Sequence, residues 1–185
     1  MALRSIVVYD DPRLRKSSRR MNGVDEEVGQ LIDDMIETMH EARGIGLAAI
    51  QIGIPQRLII VHIPEPEDEE AEPVAGSGEI YAVLNPEVVD RSEETEEGIE
   101  GCLSVPGLVG EVERHSAVTI EGIDRHGESI CIEAEGLLAR VFQHEIDHCD
   151  GVLFIDHIDD LEKLWQVEEG EEEAAEMHQD KPPAV

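Results

Sequence analysis

The pentapeptide His144-Glu145-Ile146-Asp147-His148 constrains the fold of this chain more than any other segment. Side chains four residues apart lie on one face of a helix, so both imidazoles can bind one metal ion if the segment is helical. Glu145 lies about 100° further round the same helix, where it can contact a water molecule on that metal. Two imidazoles with such a carboxylate between them in sequence indicate a metal-activated water site that still needs a third ligand.

Three sources for the third ligand can be compared. Some metalloproteases continue the motif to a third histidine, but that position holds Phe154 here. Others use a glutamate about twenty residues further on, near Glu168 and Glu169, although a glutamate at that distance is expected in so acidic a segment. The remaining source is Cys102, a thiol next to a glycine that permits close backbone approach. The residues alone leave the last two open.

The helical segments follow from apolar spacing. Residues 25–43 repeat apolar side chains at helical intervals after Asp25, a good N-cap, and predict an amphipathic helix. The motif helix is predicted from about Leu137 to Cys149, with Gly151 ending it. The acidic stretch 159–177 is predicted as a C-terminal helix by propensity, followed by a disordered tail.

The remaining segments predict strands and loops. Strands are expected at 58–63, at 81–89 with an interruption at Asn85-Pro86, and as short alternating runs between 111 and 132. Residues 64–79 and 90–100 are predicted as acidic loops. We therefore expect an α+β fold in which mainly antiparallel strands pack around a central metal-binding helix, with an N-terminal helix and an acidic C-terminal helix. Residues 1–160 would form the catalytic domain, with loop 64–79 inserted, and 161–185 the acidic helix and tail.

The charge excludes some partners. Forty-four acids against fourteen lysines and arginines give a net charge of −30, which opposes nucleic-acid binding and is typical of a protein adapted to a salty cytoplasm. The chain lacks a long apolar run, so no membrane association is expected. The N-terminus lacks a signal-peptide pattern, which predicts a cytoplasmic location. The three cysteines do not suggest disulfides, and Cys131 and Cys149 are predicted to be structural.

Three blocks in collinear order resemble those of the peptide deformylase family. They are Gly44-Ile45-Gly46-Leu47-Ala48-Ala49-Ile50-Gln51, Glu100-Gly101-Cys102-Leu103-Ser104, and Gln143-His144-Glu145-Ile146-Asp147-His148. The resemblance covers about residues 4–160. It implies a metal-dependent hydrolase that removes the formyl group from the N-terminal formylmethionine of newly made polypeptides.

The resemblance also implies roles for individual residues. Cys102, His144 and His148 would bind the metal, and Glu145 would act as general base and then general acid. Gln51 and the Leu103 backbone N–H would donate hydrogen bonds to the oxyanion. The expected substrate-binding residues are Ile45, Gly46, Leu137 and Val141, and Asp147 would orient a metal-binding imidazole.

The cofactor implied by the resemblance is one divalent metal ion per chain. Fe²⁺ is the first expectation, with Zn²⁺, Ni²⁺ or Co²⁺ as alternatives suited to one thiolate and two imidazoles. The expected partners are nascent N-formylmethionyl peptides and, transiently, the ribosome.

Three positions depart from the family pattern. Ile50 replaces a usual proline, Cys149 replaces a usual leucine, and Val109 stands where many relatives have an arginine that helps hold the substrate peptide. Arg114 is the nearest alternative cation. Two other functions stay open from the residues: a metalloendopeptidase with a glutamate ligand, and a ribosome-associated binding module with little turnover.

Overall fold

The computed structural model describes residues 2–66 and 75–167, which form two α-helices and eight strands. Helix α1 is Glu26–Glu41 and helix α2 is Gly136–Asp150. Short 3-10 helices occupy Pro12–Arg15, Ala49–Ile52, Phe154–His157 and Leu161–Lys163. Within these described ranges, neither α-helix is long and apolar enough to cross a membrane.

The strands form two antiparallel sheets. The larger sheet has five strands in the order β1-β2-β3-β6-β7, and the smaller has three in the order β4-β5-β8. Their bounds are β1 Gly46–Ala48, β2 Leu58–His62, β3 Ile80–Arg91, β4 Thr95–Gly101, β5 Leu108–His115, β6 Ala117–Ile123, β7 Ser129–Glu135 and β8 Leu164–Gln166. The predicted α+β class is confirmed.

Helix α1 packs its apolar face on the larger sheet. Asp25 caps its N-terminus, since the carboxylate accepts a hydrogen bond from the Val28 N–H at 2.9 Å. Ile32, Met35 and Met39 are fully buried against residues of β1, β2 and β3. The predicted helix is therefore confirmed, with small differences at its ends.

Helix α2 is the central helix. Val141, Phe142 and Cys149 are fully buried in the largest apolar cluster, together with side chains from the five-stranded sheet. The helix ends at Gly151, whose φ of 80° is in the left-handed region that glycine adopts most easily. The motif thus lies on a helix enclosed by both sheets, as predicted.

One prediction about local structure is wrong. Residues 95–101 are not loop but strand β4, paired in full register with β5, because backbone pairing outweighs the poor strand propensity of their acidic residues. The predicted interruption at Asn85-Pro86 is a bulge, where pairing with β6 shifts register and Asn85 has a φ of 51°, and strand β3 continues beyond it to Arg91. Cys131 is exposed on β7.

The acidic C-terminal helix is wrong for residues 161–166. They form a 3-10 turn and then strand β8, in which Leu164 pairs with Gly110 of β5. Leu164 packs with the smaller apolar cluster around Phe154, and this burial together with sheet pairing overrides helix propensity. Strand β8 also lies beyond residue 160, the predicted end of the catalytic domain. Most of the predicted loop 64–79 and the rest of the tail, at 67–74 and 168–185, lie outside the described residues.

Candidate metal centre

Three side chains, one from the residue after β4 and two from α2, lie close together beside the three-stranded sheet. Cys102 follows the last residue of β4, and His144 and His148 lie on one face of α2. One ligand atom from each, the Cys102 sulfur and one nitrogen of each ring, lies within 4.8 Å of the other two, and all three residues are buried. The Cys102 Sγ is 3.2 Å from the Nε2 of His148. The predicted ligand set is therefore assembled in space.

The chemistry of this cluster fits a divalent cation. The His144 Nε2 and the Glu145 Oε2 are buried and lack hydrogen-bond partners among the described residues, which is costly unless a further group is bound there. Burial, followed by the neighbouring His144 and Arg114, lowers the pKa of His148 well below its usual value, so the ring is neutral and keeps a lone pair. Burial also raises the pKa of the Cys102 thiol, and a bound cation would offset that cost and hold the thiolate.

Glu100 orients one ligand imidazole. Its Oε2 lies 2.9 Å from the His144 Nδ1, which leaves the Nε2 of that ring for the metal. Burial by itself would raise the pKa of Glu100, but hydrogen bonds from Arg114 and His144 outweigh burial and lower it. The carboxylate is therefore ionised. The sequence analysis assigned the orienting role to Asp147 and did not identify Glu100, although Glu100 opens the second family block.

Two buried arginines surround Glu100. Arg114 donates to both of its carboxylate oxygens, from Nε at 2.8 Å and from Nη2 at 3.0 Å. Arg140 of α2 donates to Glu100 at 3.0 Å and to the backbone carbonyls of Val112 and Glu96, each at 2.9 Å. Its guanidinium also fills the space beside Gly98, where a Cβ would lie 2.7 Å from Cζ. Arg140 thus joins helix α2 to the β4–β5 hairpin, a contact that the sequence analysis missed.

Asp147 and Arg114 have roles other than those expected. Asp147 accepts hydrogen bonds from Arg114 at 2.6 Å and from the His157 ring at 2.7 Å, so its partner is neither His144 nor His148. Arg114 is buried in these pairings with Asp147 and Glu100, so it is not the free cation that was expected as an alternative at this site. Both corrections have one cause: the buried Glu100 carboxylate requires strong compensation, which Arg114 provides.

Glu145 lies between the ligand cluster and strand β1. Its side chain is buried, and a Cβ added to Gly46 would lie 2.3 Å from Oε1 and 2.8 Å from Cδ. Only a glycine at position 46 leaves room for this carboxylate. Burial, together with the negative charges of Glu100 and Asp147, raises the pKa of Glu145 well above its usual value.

The Gln51 amide points its NH₂ group at the ligand cluster. Its Oε1 accepts a hydrogen bond from the Ala48 N–H at 2.7 Å, which fixes the orientation of the amide. Its Nε2 then lies 3.6 Å from the Cys102 sulfur and 3.3 Å from the Ser104 hydroxyl. The Leu103 side chain packs against Gly44, where a Cβ would meet Leu103 Cδ1 at 2.7 Å. Both predicted oxyanion donors therefore belong to segments that border the metal cluster.

The predicted pocket residues lie at or near the same core. Ile45 and Val141 are buried in the largest apolar cluster, and Leu137 is half-buried at its margin. Ile50 and Cys149, two departures from the family pattern, are buried in the same cluster and serve as packing residues. Val109 pairs across the small sheet with Gly101 on one side and Trp165 on the other.

The fold and this site define a metal-dependent hydrolase class. A buried Cys-His₂ cluster has a buried carboxylate and an oriented amide beside it, the set of groups used to activate water at a metal. Comparison with known proteins gives the particular family.

The model of the polypeptide deformylase family matches residues 3–164. A peptide deformylase of Thermomicrobium roseum is 47% identical over 176 residues, 95% of this chain and 97% of that protein. The crystal structure of a Legionella pneumophila peptide deformylase superposes with a TM-score of 0.77 at 42% identity, covering 88% of this chain and 89% of that one. The Met-Ala-Ser-bound structure of a class I type b peptide deformylase from Acinetobacter baumannii has a TM-score of 0.74 at 34% identity, covering 85% and 99%.

The chain belongs to the peptide deformylase family. It is a metal-dependent hydrolase that removes the N-terminal formyl group from newly made polypeptides.

Proposed function

We propose that Cys102, His144 and His148 hold the metal ion of this deformylase, and that Glu145, Gln51 and the Leu103 backbone carry out formyl transfer to water. The observation that carries the assignment is the buried cluster of three ligand atoms within 4.8 Å of one another. A divalent cation bound there supplies positive charge that lowers the pKa of water and polarises the formyl carbonyl.

Glu145 moves the proton. Its carboxylate accepts a proton from the water that attacks the formyl carbon, and the raised pKa caused by its burial makes it a stronger base. The same carboxyl group then protonates the methionine nitrogen as the carbon–nitrogen bond breaks. Formate and a free α-amino group are the products, so the proton taken from water ends on the amine.

Two donors stabilise the charge that develops on the formyl oxygen. The Gln51 Nε2 is held beside Cys102 by the hydrogen bond that Ala48 donates to the other end of the amide. The Leu103 N–H follows Cys102 directly in the chain. Such preorganised donors act in a buried site without reorganisation at the moment of reaction.

The substrate backbone would lie along a sheet edge beside Glu145. Strand β1 is the edge strand of the five-stranded sheet, and an extended peptide can add to such an edge by backbone hydrogen bonds. Gly46 on β1 contacts Glu145, which brings a peptide at this edge close to the base. Ile45, Leu137 and Val141 would line the methionine pocket. The relative from Acinetobacter baumannii binds Met-Ala-Ser, the peptide left after formyl-Met-Ala-Ser loses its formyl group.

The native metal and cellular setting complete the proposal. Fe²⁺ is the metal we propose, with Zn²⁺, Ni²⁺ or Co²⁺ able to occupy the same thiolate and imidazole ligands. The enzyme would act in the cytoplasm on nascent formylated chains as they leave the ribosome.

Formate release from formyl-Met-Ala-Ser by anaerobically prepared protein, in low and molar salt, tests the function. The parent protein should release formate and contain about one metal per chain, whereas Cys102→Ala should lose both. Cys131→Ala is the matched control, because that cysteine is exposed on β7 and should keep metal and activity. Full metal content and activity in Cys102→Ala would remove the proposed ligand set.

A further inference from the structure

A row of three residues crosses the small sheet next to the metal cluster. Gly101 of β4 pairs with Val109 of β5, and Val109 pairs with Trp165 of β8. Residues directly opposite one another in antiparallel strands share one face of the sheet, with Cβ atoms about 4.5–5.5 Å apart. Val109 and Trp165 are both half-buried. The row therefore forms an apolar strip that is partly accessible.

The strip lies on the outer face of the small sheet. The alternate residues Leu108 and Val112 pack into the apolar cluster around Phe154, on the face toward helix α2. Because side chains alternate along a strand, Val109 points to the other face.

One end of the strip lies at the catalytic centre. Gly101 directly precedes the proposed ligand Cys102, and β4 is the edge strand of its sheet. A peptide on β1 whose formyl group lies at the metal cluster has its reacting end beside Cys102 and Gly101. Since Gly101 has no side chain, Val109, one strand further on, is the first side chain of this row that such a peptide would meet.

We propose that Val109 and Trp165 contact the second or third residue of the formylmethionyl substrate and favour an apolar or aromatic side chain there. This inference rests on the proposed function. Two strand spacings of about 4.8 Å separate Gly101 from Trp165, and an extended peptide advances about 3.4 Å per residue. A side chain from either of the two residues after methionine can therefore reach the strip. Val109 and Trp165 would then set substrate preference at these positions.

The surroundings of the strip disfavour acidic side chains at the same substrate positions. Beyond Val109 the outer face carries Glu97, Glu111 and Glu113. Lys163 is shared between Glu97 at 2.6 Å and Glu111 at 2.8 Å, so its charge is already neutralised locally. This face of the sheet is therefore apolar beside Gly101 and acidic further along.

The first test compares kcat/KM for formyl-Met-Ala-Ser with formyl-Met-Phe-Ser, formyl-Met-Ala-Phe and their aspartate counterparts. We expect one phenylalanine peptide to exceed formyl-Met-Ala-Ser by about tenfold, the effect of roughly two buried methylene groups. The same preference should fall to about twofold or less in Trp165→Ala and persist in Gln166→Ala, an exposed neighbour on β8. Equal rates on all peptides, or a preference that survives Trp165→Ala, would overturn the inference. No formate release from any peptide would instead overturn the proposed function.

The second test does not depend on turnover. Trp165 is the only tryptophan of the chain, so intrinsic fluorescence reports on the strip alone. Titration of the metal-loaded protein with Met-Phe-Ser and Met-Ala-Phe should shift the emission to shorter wavelength, and Met-Ala-Ser should shift it less. Unchanged emission at peptide concentrations that inhibit formate release would place the peptide away from Trp165 and refute the contact.

Discussion

Alanine in place of Gly46 tests the proposed position of the general base. A Cβ at residue 46 would lie 2.3 Å from Glu145 Oε1, 2.8 Å from Cδ and 2.9 Å from Cγ. Ordinary van der Waals contact begins near 3.4 Å, so the carboxylate must move by about 1 Å. Glu145 is 1% exposed, so the carboxylate cannot move out into solvent and any movement shifts it relative to the metal cluster.

Moving the Glu145 carboxylate by this distance should lower the catalytic rate. Misplacing a catalytic group by about 1 Å can lower the rate about 100-fold. The three atoms nearest to the new methyl group all belong to Glu145 and not to Cys102, His144 or His148, so metal content should be preserved. We therefore expect Gly46→Ala to lower kcat for formyl-Met-Ala-Ser about 100-fold with about one metal ion still bound.

Gly29→Ala provides the matched control. A Cβ at Gly29, on helix α1, meets no atom within 4 Å, and alanine in a helix interior stabilises by about 0.5–1 kcal/mol relative to glycine. This variant should keep full activity. If Gly46→Ala retained activity within about threefold of the parent at equal metal content, Glu145 would not be the base at this position.

Three further predictions test the oxyanion donor, a buried ion pair and the surface charge. Gln51→Ala should lower kcat about 10²–10³-fold while metal remains bound, and an unchanged kcat would remove Gln51 from the oxyanion site. Burial alone would raise the pKa of Asp34, but hydrogen bonds from Arg4 and Gln30 outweigh it and lower that pKa. The Asp34 contribution, about 1–2 kcal/mol of unfolding free energy, is thus present above about pH 4 and is lost as the pH falls through the lowered pKa. Asp34→Asn should therefore destabilise the protein in neutral chemical-denaturation experiments, and its difference from the parent should shrink as the pH falls below the lowered pKa of Asp34; a difference that does not change with pH would contradict the ion pair. The net charge of −30 predicts a melting temperature that rises between about 0.1 and 1 M NaCl, as the Debye length falls from about 10 to 3 Å, and equal melting temperatures would refute the repulsion.

The sequence predicted those parts of the molecule whose structure follows from a repeating apolar pattern or from a few adjacent residues. Apolar spacing and a capping aspartate located helix α1, and the His144–His148 spacing located the ligand face of α2. Cys102 could be chosen as the third ligand only because its sequence block resembles that of the family. A single cysteine that binds metal cannot be distinguished by sequence alone from one that only packs in the core. Its position beside both imidazoles depends on contacts between a sheet and a helix distant in the chain.

The parts that the sequence missed depend on such long-range contacts. Glu100 and Arg114 are fourteen residues apart on neighbouring strands, and their pairing depends on the β4–β5 register. Strand β4 has a composition typical of loops, and β8 is too short and acidic to give a strand pattern. In each case pairing with β5 determines the structure, and propensity over a few residues cannot predict which edge is available.

The contacts of Arg140 have a consequence for how the metal is acquired. This arginine joins the helix bearing both histidines to the hairpin that leads into Cys102, through Glu100 and the carbonyls of Glu96 and Val112. Protein contacts therefore connect the two elements that carry the proposed ligands. In small zinc-binding domains, by contrast, metal binding and folding are a single event. We expect this enzyme to exchange one metal for another as a folded chain, so that cellular metal supply and oxidation, and not folding, determine which ion it carries.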